Sequence, residues 1–152
     1  MIFYSEIKWA EMIFSKGTGY ALRALTFLAE RVDEGPFLSS VIAENVDVPG
    51  PTVSKIMNRL AAKGIVKSVS GPKGGFWLSK DPGLISMLDI FEIFEPPRTF
   101  SECLLGHPEC PGTQYCTLHL RWLEAQKHID AFLENTTVAD IIPFEDGLSP
   151  EN

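Results

Sequence analysis

Three cysteines and a histidine lie close together in the second half of the sequence. They follow the pattern Cys103-x6-Cys110-x5-Cys116-x2-His119 within a stretch that also contains glycine and proline. Thiolates and imidazoles bind iron–sulfur centres and zinc. Structural zinc sites usually contain two cysteines separated by about two to four residues, and this chain has no such pair. The spacing leaves three possibilities open: an iron–sulfur centre, a zinc ion, or thiols without a metal, either buried or sensitive to oxidation.

A helix predicted from about Thr117 to Glu134 begins directly after Cys116 and would hold one edge of this cysteine-rich loop. Its apolar residues alternate spacings of four and three, which is typical of a helix that packs along one seam. Packing on its own domain is the alternative, but a module this small offers little core to a helix this long. We therefore expect a homodimer interface made by Leu118, Trp122, Ala125, Ile129 and Phe132.

The charge is divided unevenly between the two halves of the chain. The whole sequence has a net charge of −7, which alone would argue against a nucleic-acid partner. Residues 12–80, however, contain nine basic and five acidic side chains, a net charge of +4. Residues 81–152 contain three basic and thirteen acidic side chains, a net charge of −10. This asymmetry is typical of a nucleic-acid-binding half joined to an acidic regulatory half, although a solvated basic face is the simpler alternative.

The basic half has the pattern of a helix-turn-helix. A buried helix over 19–29 precedes a short helix over 40–46, for which Ser39 is a candidate N-cap, and a third helix runs from Pro51 to Gly64. On the third helix an apolar stripe would face the core and leave polar residues outside, where Asn and Arg can read bases and Lys, Thr and Ser can hold phosphates. An ordinary solvent-facing amphipathic helix would show the same pattern.

The next segment favours DNA binding. Residues 65–70 and 75–79 form two β-rich runs joined by a Gly-Pro-Lys-Gly turn at 71–74, which predicts a hairpin directly after the helix-turn-helix. Such a hairpin is the wing of a winged-helix module. A phosphate-binding loop is the alternative for this turn, but it lacks the required spacing and a following helix. A capping box at Ser86–Asp89 then predicts a helix that ends at Pro96-Pro97.

Three runs of this sequence resemble the bacterial Rrf2 family of transcriptional regulators: SKGTGYALRAL at 15–25, IAE at 42–44 and GIVKSVSGPKGGFWL at 64–78. The resemblance implies a homodimeric winged-helix protein that binds a palindromic double-stranded DNA operator. Together with the helix-turn-helix pattern, it gives eleven candidate DNA-binding residues: Lys16, Thr52, Ser54, Lys55, Asn58, Arg59, Lys67, Ser70, Gly71, Pro72 and Lys73.

The same resemblance implies the chemistry of the cysteines. Cluster-binding members of the family place three cysteines in this loop, followed by Leu-His and then Trp, as here at 118–119 and 122. It thus implies an iron–sulfur cluster held by Cys103, Cys110, Cys116 and His119, with [2Fe–2S] favoured over [4Fe–4S]. His107 is a possible substitute, whereas Gly19 replaces the acidic ligand of the nitric oxide sensors.

Two features depart from the family pattern. Eleven residues precede Met12, so residues 1–11 are either an extension or the product of a misplaced start. Ser70 replaces an arginine that enters the minor groove in the cluster-assembly regulators, and serine cannot supply that charge. Lys73 is a possible replacement, and a different operator preference is the alternative.

We expect an α+β fold, mostly α, with a winged helix-turn-helix domain and a long C-terminal dimerisation helix. The expected function is that of a transcriptional repressor whose operator binding is switched by a cluster that senses iron–sulfur status, redox state or nitric oxide. A cofactor-free repressor controlled by thiol oxidation or a partner protein is the alternative. No catalytic constellation indicates an enzyme, and without a signal or a membrane span we expect a cytoplasmic protein. The expected segments are 1–11 (extension), 12–82 (DNA-binding domain), 83–97 (connecting helix), 98–116 (cluster loop), 117–142 (dimerisation helix and short terminal helix) and 143–152 (tail).

Overall fold

The computed structural model describes residues 14–96, 103–107 and 116–141. The predicted extension at 1–11, the tail at 143–152 and Cys110 lie outside these ranges. The described residues form a mostly helical structure with one two-stranded antiparallel sheet, as expected for a winged helix. Its elements are α1 (Lys16–Glu30), α2 (Ser39–Val46), α3 (Gly50–Ala62), β1 (Val66–Val69), β2 (Gly75–Leu78), a 3₁₀ turn (Pro82–Leu84), α4 (Met87–Phe94), α5 (Thr117–Asn135) and α6 (Val138–Ile141).

Helix α1 lies at the centre of the core. Ser15 caps it, because its hydroxyl accepts a hydrogen bond from the backbone N–H of Thr18 at 3.3 Å. Small residues and leucines on its buried side let α2, α3, α4 and α6 pack close to it. The largest fully buried side chains around α1 come from all of these elements: Leu25, Ile42, Met57, Leu60, Ile90 and Val138.

Helices α2 and α3 form the predicted helix-turn-helix. The turn between them is made possible by Asp47, which adopts a left-handed conformation with φ of 52° and ends α2. One detail of the expectation is wrong: Leu38 is the N-cap of α2, and Ser39 is its first helical residue. The hydroxyl of Ser39 instead accepts a hydrogen bond from that of Ser54 in α3, at 2.9 Å.

Strands β1 and β2 form the predicted wing, with Val66 opposite Leu78 and Val69 opposite Gly75. The sequence did not indicate a further pairing, in which Phe37 exchanges two backbone hydrogen bonds with Phe76 at 3.0 and 2.8 Å. Gly75 permits it, because any Cβ there would lie 2.4 Å from the carbonyl of Phe37. The base of the wing is therefore attached to the chain that enters α2.

Helix α4 begins with the predicted capping box, in which Ser86 and Asp89 bond each other's backbone N–H groups. Helix α5 packs against α4 near the C-terminal end of α5, where Leu133 joins Met87 and Phe91 in a small apolar cluster. After α5 the chain packs against the main core again, since Val138 of α6 is fully buried. No helix in the described ranges is long and apolar enough to cross a membrane.

Candidate nucleic-acid interface and cysteine site

The outward face of α3 is set by the apolar stripe on its other side. Val53, Ile56, Met57 and Leu60 are all buried, at most 5% exposed, as the spacing predicted. Because 3.6 residues make one turn, Lys55 and Asn58 project from the opposite side, and both are exposed. This face can present an amide to a base edge and an ammonium group to a phosphate.

Two other predicted contact residues of α3 lie closer to the protein. Ser54 is half-buried and donates its hydrogen bond to Ser39, so it connects the two helices of the helix-turn-helix. Thr52, in the first turn of α3, is also half-buried. Their hydroxyls therefore lie at the edge of the outward face rather than at its centre.

Arg59 contacts α4. Its guanidinium carbon lies 4.6 Å from the centre of the Phe94 ring, and one of its N–H groups donates to the backbone carbonyl of Ile93. A cation over an aromatic ring at an exposed site contributes about 0.5–1 kcal/mol. The structure thus places Arg59 between the outward face of α3 and the end of α4.

The predicted contacts of the wing are all exposed. Gly71 adopts φ of 108°, which an L side chain rarely adopts, and its carbonyl accepts from the N–H of Gly74 at 2.9 Å to close the turn. The remaining candidates are exposed as well: Lys16 at the start of α1, and Lys67, Ser70, Pro72 and Lys73 on the wing.

The electrostatics of α3 and the wing favour a polyanion. Between Lys55 and Lys80 the sequence has six lysines and arginines and no acidic residue. A surface with this charge attracts the phosphate backbone without regard to sequence, while the outward face of α3 supplies side chains that can distinguish bases. The described geometry therefore provides both parts of a DNA-reading surface.

Two of the three cysteines meet the predicted histidine in one small pocket. Cys103, Cys116 and His119 are half-buried, and they line this pocket with apolar neighbours, among them Leu105 and Trp122. Cys116 is the N-cap of α5, which explains why His119 follows it within one helical turn. A tight turn in which the N–H of Gly106 bonds to the carbonyl of Cys103 at 2.9 Å precedes His107.

The other predicted ligands differ in position. His107 is exposed and is not among the residues that line the pocket. Cys110 lies outside the described residues. Within the described ranges, no group of three or more His, Cys, Asp or Glu side chains is arranged to hold a metal ion. The donor types present, two thiols and an imidazole, are nevertheless those of an iron–sulfur or zinc site.

The predicted seam of α5 divides into two parts. Ile129 packs against the cluster of Met87, Phe91 and Leu133 within the same chain. Leu118 and Phe132 are 39% and 50% exposed, and Trp122 and Ala125 are half-buried. Leu133 is the only buried residue among the 19 of this helix. Much of the apolar surface of α5 is therefore not covered by the other described residues of the chain.

Comparison with known proteins identifies the family. Residues 14–143 match the family described as Rrf2, iron-dependent transcriptional regulator. The chain belongs to the Rrf2 family. An HTH-type transcriptional regulator of Aquifex aeolicus is 37% identical over 137 residues, covering 89% of this chain and 94% of its own. The regulator IscR of Serratia proteamaculans is 31% identical over 134 residues, which cover 88% of this chain and 80% of the IscR chain.

A solved structure agrees with the fold. CymR, the global cysteine regulator of B. subtilis, superimposes with a TM-score of 0.74 at 26% identity, covering 88% of this chain and 98% of its own. The resemblance to Rrf2 proteins and the winged-helix fold are confirmed. Because these relatives regulate transcription, this Rrf2 protein is a DNA-binding transcriptional regulator and not an enzyme.

Residues at the end of α4 were not singled out from the sequence. Glu95 accepts hydrogen bonds from the backbone N–H and the hydroxyl of Ser15, both at 2.8 Å, and from the hydroxyl of Thr18. The only sequence signal was indirect: an acidic residue directly before Pro96, at a predicted helix end. The local sequence pattern did not indicate that Glu95 would contact α1.

Proposed function

We propose that this Rrf2 protein is a homodimeric repressor whose binding to a palindromic operator is switched by an iron–sulfur cluster held by Cys103, Cys110, Cys116 and His119. The observation that carries the proposal is the shared pocket of Cys103, Cys116 and His119. The family description as iron-dependent regulators and the 31% identity to an IscR support the same centre.

The donor set fits an iron–sulfur centre. Thiolates bind both [2Fe–2S] and [4Fe–4S] clusters, and histidine nitrogen can replace a thiolate in a [2Fe–2S] centre, so we favour [2Fe–2S]. The half-buried positions of Cys103, Cys116 and His119 beside Leu105 and Trp122 limit the access of water to their donor atoms. A bound cluster would supply a redox-active group that oxidants or nitric oxide can alter.

The chain's own residues would carry the change to DNA. Cys116 is the N-cap of α5 and His119 lies in its first turn, so ligation would fix the start of this helix relative to Cys103. The exposed Leu118 and Phe132 are on the same helix and would contact the partner subunit. Because a dimer must hold its two recognition helices about 34 Å apart on DNA, a change in α5 alters the fit to the operator.

The proposal is tested by purifying the protein without oxygen and assaying iron, sulfide and zinc. We expect a coloured protein with iron and sulfide in equal amounts, and a shift in operator affinity when the cluster is removed by a chelator. A colourless protein that contains zinc or no metal contradicts the cluster. The oligomeric state and DNA binding are measured on the same samples, so that the dimer and the operator binding can each be accepted or rejected independently of the cluster.

Thiol control without a cofactor is the second candidate. It is favoured by the half-buried thiols of Cys103 and Cys116 in one pocket and by the 26% identity to the global cysteine regulator CymR. In this case hydrogen peroxide would change the operator affinity of a metal-free protein, and a thiol reductant would reverse the change. The iron assay distinguishes the two candidates directly.

A further inference from the structure

Three helices meet at the C-terminal end of α4. The Phe94 ring has the guanidinium group of Arg59 over its face, 4.6 Å from the ring centre. It also contacts Gly17 of α1, where a Cβ would lie 3.4 Å from a ring carbon. The next residue, Glu95, accepts hydrogen bonds from Ser15, the N-cap of α1, and from Thr18 in the first turn of this helix. The end of α4 is thereby fixed to α1, and Arg59 connects it to α3.

Arg59 is exposed and lies at the edge of the outward face of α3, on the side toward α4. At about 100° per residue, Arg59 is turned about 100° from Asn58 and about 40° from Lys55 around the helix axis. Its N–H group is occupied by the carbonyl of Ile93, and its flat face is stacked on Phe94. A guanidinium group used in both ways is oriented toward α4 rather than along the outward face.

From these contacts we infer that Arg59 is a positioning residue, which fixes α3 against the end of α4 and does not itself read DNA. Together with the buried stripe of α3, it holds the angle at which Lys55 and Asn58 are presented, because Phe94 and Glu95 hold α4 against α1. The inference rests on the proposed function only in taking α3 as the DNA-reading helix. It is independent of any metal centre.

A double-mutant cycle of Arg59→Ala and Phe94→Leu tests the inference. The probe is a duplex that the purified wild-type protein selects from a random library, with a scrambled duplex of equal composition for comparison. We expect each variant to weaken binding to the selected duplex about three- to tenfold, since each removes the same anchoring contact. The double variant should bind the selected duplex no more weakly than the single variant of lower affinity does. The slope of log affinity against log salt should equal that of the wild type.

Direct DNA contact by Arg59 predicts a different result. Arg59→Ala would then lower the slope of log affinity against log salt by about one if it touches a phosphate, or lose the discrimination between the two duplexes if it reads a base. Phe94→Leu would leave affinity unchanged, or raise it by releasing the arginine. Any of these outcomes overturns the inference.

Three further variants keep the test decisive. Arg59→Lys keeps the charge but loses the planar contact with Phe94, so it should weaken binding as Arg59→Ala does, and full retention of affinity would contradict the inference. Lys55→Ala should weaken binding additively with Phe94→Leu. If Lys55→Ala and Asn58→Ala both bind as the wild type does, α3 is not the DNA-reading helix and the proposed function fails. If they weaken binding and Phe94→Leu does not, only the role of Arg59 is rejected.

Discussion

The carboxylate of Glu95 accepts a hydrogen bond from the hydroxyl of Thr18, the only polar side chain among the buried residues of the described core. A buried hydroxyl without a partner costs about 1–3 kcal/mol, so this bond couples the end of α4 to the start of α1. Glu95 lies directly before the segment that leads to Cys103, which makes it the point where the winged-helix domain and the cysteine-rich loop join along the chain.

Replacing Glu95 with Ala should lower the free energy of unfolding by about 1–3 kcal/mol, because Thr18 keeps only its longer contact to Ser15, at 3.4 Å. Denaturant unfolding at a fixed protein concentration measures this. Glu92→Ala, at an exposed position of the same helix, is the matched control and should change stability by less than about 0.5 kcal/mol. An equal effect of the two variants would contradict the role of Glu95.

Local rules predicted much of this structure, for identifiable reasons. The Ser86–Asp89 capping box and the buried stripe of α3 depend on neighbours within one or two turns, and both formed as expected. The contact of Arg59 with Phe94 joins residues far apart in sequence. Periodicity gave the direction of Arg59 on α3 but not the element beside it.

The wing and α6 show the same limit. Turn residues predicted the pairing of β1 with β2, yet Phe37, which pairs with β2, has no turn signal that connects it to the wing. Val138 lies in a short helix with little amphipathic pattern, and only the assembled core shows that it is buried against the domain. In the cysteine site, the family resemblance grouped Cys103, Cys116 and His119, whereas local pattern alone places only His119 within one helical turn of Cys116.

The outward face of α3 and the wing should contribute differently to DNA binding. Asn58→Ala should cost about 1–3 kcal/mol on the selected duplex and relax its sequence preference, because an amide can pair with one base. Lys67→Ala and Lys73→Ala should weaken binding to all duplexes and lower the salt slope by about one each. A salt-titrated binding assay that shows no difference between the two classes would contradict this division.

Dimerisation should depend on the exposed part of α5. Leu118→Glu or Phe132→Glu should yield monomers by sedimentation, since a charge would have to be buried in the interface. Ile129→Glu is less informative, because Ile129 also packs within its own chain. Ala131→Glu, at an exposed position of the same helix, should remain dimeric, and a wild-type monomer at micromolar concentration would reject the interface.

The contribution of Asp140, in α6, to the stability of the protein should depend on pH. The pKa of Asp140 lies below its ordinary value of 3.8, because its carboxylate accepts hydrogen bonds from the backbone N–H and then the hydroxyl of Thr137. The stabilisation is fully present above pH 3.8 and is lost as the pH falls through the lower folded-state pKa. Asp140→Asn should therefore have a lower melting temperature than the wild type at pH 7, and this difference should narrow below pH 3.8. The control Asp130→Asn, at an exposed position, should melt at the same temperature as the wild type at pH 7.

The cysteine site should distinguish its two histidines. Removing Cys103, Cys110 or Cys116 should abolish or greatly destabilise the proposed cluster, because each thiolate would be a direct ligand. His119→Ala removes one neutral nitrogen donor and should bind a labile cluster, whereas His119→Cys should restore a full thiolate set with a lower reduction potential. His107→Ala should leave the visible spectrum unchanged, since His107 is exposed and does not line the pocket of Cys103 and Cys116. If His119→Ala matches the wild type in spectrum and potential while His107→Ala does not, the ligand is His107.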